Sequence, residues 1–146
     1  MLDTSTLEQL RTHNRGQQPA AVTTDAAVLQ ELLSVGLARH PGMQMLLLSA
    51  SDGRALAFQA TQLSADPRRL AAMGNSFLTL GETLARELGL SQASHVTLST
   101  GAGNMVLVRV DGPAACTLAA LADENTPLAM LLYVARNCAA QLAQAL

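Results

Sequence analysis

Three histidines, two cysteines and nine arginines carry most of the reactive side-chain chemistry in this 146-residue chain, and their spacing sets the first question. His13, His40 and His95 fall in three separate segments. None has a partner at metal-ligand spacing or a carboxylate placed to orient it as a base. Cys116 and Cys138 are too few and too far apart for a disulfide framework or a paired-cysteine zinc site, so both read as reduced core residues. Asp123-Glu124 precedes the last helical segment, where acidic side chains suit the positive end of a helix dipole; this accounts for the pair without acid–base catalysis. Gly101-Ala102-Gly103 opens like a dinucleotide loop, but Val106 stands where the third glycine belongs and a strand pattern follows in place of a helix. The chain contains no lysine, which removes phosphate-loop, Schiff-base and kinase-type lysine chemistry together. No catalytic, cofactor-binding or metal-binding residue is assigned.

The composition points the same way. A formal charge of −2 with no basic block argues against nucleic acid and anionic membrane as partners. The longest apolar run, residues 128–135, is far shorter than the roughly 20 residues of a membrane span. No signal segment opens the chain, so the expected setting is the cytoplasm.

The elements that would position any site follow from turn and cap residues. Residues 1–22 dissolve into Asn, Gly, Gln and Pro and read as a flexible extension, leaving residues 23–146 as one domain. Val28, Leu32 and Val35 share a helical face that His40-Pro41-Gly42 stops. In MLLLSASDGRALAFQA, Asp52-Gly53 between β-prone runs predicts a hairpin with strands over 43–49 and 54–60. Three further strands are expected over 95–100, 105–110 and 116–121, and a last helix opening at Thr126-Pro127 would bury Leu128, Leu131, Leu132, Ala135, Ala139, Leu142 and Leu146.

The long helix between Asp66-Pro67 and Gly89 is the most informative segment. Leu70, Met73, Gly74, Phe77, Leu78, Leu80, Gly81, Leu84, Ala85 and Leu88 fill about half its circumference at about 100° per residue. Packing on a sheet needs a stripe of only about 100°, so the extra width predicts a second contact, most simply another copy of the same helix. Gly74 and Gly81 would permit close approach, either to that copy or to a sheet beneath. Arg68, Asn75, Thr79, Glu82 and Arg86 are expected on the opposite, polar side.

The order helix, two strands, helix, three strands, helix resembles the Roadblock/dynein light-chain domain, in particular the bacterial regulators of Ras-like GTPases. The resemblance rests on LLLSASDGRALAF, on DPRRLAAMGNSFLTLGETLAREL, on HVTLSTGAGNMVLVRV and on TLAALADENTPLAMLLYVAR. It implies a profilin-like α/β fold, with a five-stranded antiparallel sheet and helices on both faces. It also implies a homodimer in which third strands pair edge to edge and second helices lie side by side. Gly74, Phe77, Leu78, Gly81 and Ala85 of the long helix, with His95 and Thr97 of the third strand, are the expected dimer interface. The implied client is a Ras-like small GTPase whose own switch loops do the chemistry, and Arg68, Arg69, Asn75, Thr79, Glu82 and Arg86 are the expected docking residues. Two other readings stay open: a structural adaptor, and a small-ligand sensor with a pocket on the sheet.

Overall fold

Asp25 opens the first helix by accepting the Ala27 N–H at 2.9 Å, which satisfies one of the orphan donors of the first turn. The computed structural model describes residues 25–61 and 63–146, so the expected extension over 1–22 lies outside the described residues. Within them the elements run α1 (Ala26–Ala38), β1 (Met43–Ser49), β2 (Ala55–Ala60), α2 (Pro67–Glu87), β3 (His95–Thr100), β4 (Gly103–Val110), β5 (Cys116–Asp123) and α3 (Leu128–Ala145). The strands form one antiparallel sheet in the order β2-β1-β5-β4-β3. A five-stranded antiparallel sheet with helices on both faces, in this element order, is the architecture the resemblance implies.

Turn chemistry explains the hairpin. Gly53 sits at φ 88°, a left-handed conformation that glycine adopts without steric cost, and the Asp52 carboxylate accepts the Arg54 N–H at 3.1 Å. Asp66 caps α2 by accepting the Arg68 N–H at 3.0 Å, with Pro67 at the first helical position. The expected cap at the last helix is different. Pro67's counterpart, Pro127, is itself the N-cap of α3 and no side chain caps it; the Thr126 hydroxyl donates to Asp123 Oδ1 at 2.8 Å, tightening the turn that leaves β5.

Strand alternation sorts the core into two layers. Leu46, Leu48, Val106, Val108, Leu118, Ala120 and Ala122 face α1 and α3, while Met45, Leu47, Leu107 and Ala119 face α2. On the first layer the expected face of α1 needs correction. Leu29, Leu33 and Gly36 are the buried positions, whereas Val28 and Val35 are exposed and Leu32 is half-buried. The segment AAVLQELLSVGLA is apolar on several sides, so helical period alone does not select the face the sheet takes. In α3 the buried residues are Leu131, Val134, Ala135, Cys138, Ala139 and Leu142, with Leu128 left exposed at the helix start.

Candidate functional site

The second face of the sheet is covered by α2 alone, and the roll of that helix decides what the molecule shows to solvent. Two places fix it. Near the middle of the helix, Gly74 lies over Leu107 of β4 while Asn75, beside it, reaches Thr117 of β5. One heptad later, Gly81 lies over Val96 of β3 while Glu82 reaches Arg109 of β4. On both turns the small-residue side of the helix is nearer β3, the edge strand, and the polar side is nearer the sheet centre.

A polar network sits on that central side. Asn75 Nδ2 donates to Ser49 Oγ at 2.8 Å and to the Ala71 carbonyl at 2.9 Å, and Asn75 Oδ1 accepts from Thr117 Oγ1 at 2.9 Å. Arg109 continues it: Nη1 donates to Thr117 Oγ1 at 2.9 Å, Nη2 to Glu82 Oε1 at 2.5 Å and Nε to Glu82 Oε2 at 3.3 Å. The two-pronged pairing of guanidinium and carboxylate is the strong, orientation-setting form of a charged hydrogen bond. Among the described residues, no buried side-chain nitrogen or oxygen lacks a partner.

This geometry corrects two expectations. Asn75, placed on the exposed polar side by helical period, is buried at 7 % exposure, because its amide bonds to the sheet. Gly74, Leu78 and Gly81, expected at the contact with a second copy, face the sheet within one chain. Leu78 is 1 % exposed, and a Cβ on Gly74 would lie 3.1 Å from Leu107 Cδ2. The glycines bring the helix close to its own strands.

The remaining half of the apolar arc has no cover. Met73, Leu80, Leu84 and Leu88 are 62 %, 66 %, 57 % and 64 % exposed, and Phe77 is half-buried at their margin. At about 100° per residue Met73 and Leu80 turn further outward, while Phe77, Leu84 and Leu88 lie on the Gly74–Gly81 side of α2 and so toward β3. There the exposed Leu98 joins them, and β3 pairs with β4 alone among the described strands. His95 and Thr97 lie on that edge strand and are partly exposed; His95 Nδ1 is 3.0 Å from Ser94 Oγ and 3.4 Å from Arg136 Nη2. Ala85 is half-buried on the sheet side of the helix.

Of the residues expected to meet a partner protein, Arg68, Arg69, Thr79 and Arg86 are exposed. Glu82 is half-buried with its carboxylate committed to Arg109. Arg109, Thr117 and Ser49 were not expected in the site, although a signal exists for the first: in MVLVRV it shares its alternation with Met105 and Leu107, which face α2. A groove of about 520 Å³ runs between the Ser51–Gly53 turn and α2, lined by Asp52, Asn75, Ser76, Thr79 and Thr83. No set of three His, Cys, Asp or Glu side chains among the described residues could hold a metal ion. His40 accepts the Gly42 N–H on Nδ1 at 3.2 Å in the α1–β1 turn; His13 lies outside the described residues. No described helix is long and apolar enough to cross a membrane.

Comparison with known proteins adds the fold and its company. No family model matches the chain, and no curated protein matches it. Among solved structures, a Roadblock/LC7 domain from Streptomyces avermitilis superposes with a TM-score of 0.69 at 19% identity, covering 77% of this chain and 92% of that one. The gliding protein MglB from Thermus thermophilus gives 0.68 at 22% identity, over 86% of this chain and 91% of that one. Profilin II of Acanthamoeba castellanii gives 0.55 at 18% identity, over 80% and 97%. A shared fold spanning Roadblock domains and a profilin leaves function to be argued from the surface.

Proposed function

We propose that the chain is a Roadblock-type regulator of the MglB kind, working as a homodimeric binding module for a Ras-like small GTPase and contributing no active site of its own. The observation that carries the reading is the uncovered apolar flank of α2 beside the unpaired edge of β3. An apolar stripe of four large side chains marks an interaction surface, and an unpaired strand edge without Lys or Pro invites another strand. A two-fold axis beside β3 satisfies both at once: the sheets join through His95–Thr100, and the flanks of two α2 helices cover each other.

That arrangement leaves the outward side of both α2 helices as one surface about the axis. Arg69 from each copy stands on it, and Arg68, Thr79 and Arg86 border it on the side of each helix away from the axis. Arginine suits such a role because its planar fork engages carboxylates while its stem covers apolar surface. The GTPase docks across the pair, and its own switch loops carry the chemistry of hydrolysis.

Sedimentation of the full chain at micromolar concentration tests the first half of this reading. A dimer that dissociates in the Leu80→Glu, Leu84→Glu variant supports it, and a monomer overturns it. Calorimetric titration with a Ras-like GTPase in its GDP and GTP-analogue forms tests the second half. Binding that favours one nucleotide state supports a regulator, equal binding supports a structural adaptor, and no binding removes the GTPase from the reading.

A further inference from the structure

We propose that Asn75 and Glu82 are positioning residues whose bonds to the sheet set the roll of α2 and thereby keep the apolar flank turned outward. The inference rests on the reading that this flank joins two copies. Taking Leu78 as the point of contact, the apolar residues of α2 centre about 80° away from its buried face, counted at 100° per residue. Apolar burial alone would turn the helix to centre Phe77, Leu84 and Leu88 on the sheet. The helix instead buries an amide and half-buries a carboxylate, seven residues apart on one side, both bonded to strands beneath. Rolling the helix would take the Asn75 amide away from the hydroxyls of Thr117 and Ser49, leaving the amide and the Thr117 O–H without that partner, and would separate Arg109 from Glu82; buried groups that lose partners are costly. A buried polar group that selects one arrangement among apolar alternatives is a known use of such residues.

The test replaces the polar contacts with apolar side chains of similar size: Asn75→Leu, Thr117→Val, Glu82→Leu and Arg109→Leu together. Self-association is read by sedimentation equilibrium. Roll is read by Leu84→Trp, a clean reporter because the chain has no tryptophan, at dilutions where each protein is monomeric. The expected result is a folded chain whose association weakens tenfold or more, and whose tryptophan emission moves to the blue as the flank turns inward. Unchanged association with unshifted emission overturns the proposal and gives the roll to the Gly74 and Gly81 contacts. If the unaltered chain is itself a monomer, the dimer reading fails, while the emission shift still decides the roll. Should the fourfold variant not fold, Glu82→Leu with Arg109→Leu is measured in the same two ways; failure of both to fold also overturns the proposal, because contacts that only choose a roll are dispensable for folding.

Discussion

A Cβ on Gly81 would come 2.6 Å from Val96 Cγ2, so α2 meets β3 at a point with no room for a side chain. Val96 is β-branched and stiff about χ1, which limits how far it can yield. The contact explains why a glycine is tolerated in mid-helix, where it costs roughly 1 kcal/mol against alanine.

Gly81→Leu is therefore expected to destabilise the single chain by about 1–3 kcal/mol through overpacking, measured as a lower urea midpoint. An unchanged midpoint accompanied by loss of self-association would return residue 81 to the interface between copies.

Asn75 gives a second prediction. Its amide holds Ser49 and Thr117 on β1 and β5, so Asn75→Ala leaves two hydroxyls short of a partner beneath the helix. The expected loss is about 1–3 kcal/mol in chemical unfolding, in line with the cost of unsatisfied buried groups. A loss smaller than a few tenths would mean that the site admits water freely.

How much of this was legible beforehand depends on how local the cause is. Asp52-Gly53 and Asp66-Pro67 act within a few residues, and the hairpin and the start of α2 appear where those pairs predict them. Strand positions followed from alternation and turns for the same reason. The roll of α2 is not local. Helical period marked Asn75 and Glu82 as solvent-facing because they are polar, and only the hydroxyls and guanidinium that β1, β4 and β5 present to them reverse that assignment. The width of the apolar arc was readable, but which half the sheet takes was not. A similar ambiguity misplaced the face of α1, where Leu29 and Leu33 are buried in place of their neighbours Val28 and Leu32.

The cysteines supply a pH-dependent prediction. Burial pushes the Cys138 thiol up to about 11, only partly offset by the charge of Arg39, and burial also raises Cys116. A thiol whose folded value exceeds its unfolded value favours the folded chain below the ordinary thiol value, and that contribution is lost as pH rises from there toward about 11. Stability is thus expected to decline over that alkaline range, and Cys138→Ser should flatten the decline. In the native protein at pH 8 both thiols should resist a disulfide reagent until unfolding exposes them; fast labelling of either would show local opening around α3.

The last prediction concerns where a partner docks. With the sheet side of α2 committed to the core and its apolar flank given to a second copy in the proposed dimer, what remains is the outward side, with Arg69, and the opposite flank, with Arg68 and Arg86, all three exposed. Among the described residues, no salt bridge or side-chain hydrogen bond holds these guanidinium groups in the way Glu82 holds Arg109, so reversing their charge should disturb neither the network nor the packing. Exposed helix charges contribute little to stability, typically about 0.2–1 kcal/mol even when paired. Arg86→Glu, and Arg68→Glu with Arg69→Glu, should each leave the melting temperature and the self-association of the chain nearly unaltered. Each should also weaken binding of a Ras-like GTPase, chiefly by slowing association and by reducing its salt dependence, as expected when charges at the rim of an interface are reversed. Stopped-flow association rates across a salt series, read alongside calorimetric affinity, check this directly. Full affinity and an unaltered salt slope in both variants would move the docking surface away from α2, and a loss of self-association in either would mean that these arginines belong to the contact between copies.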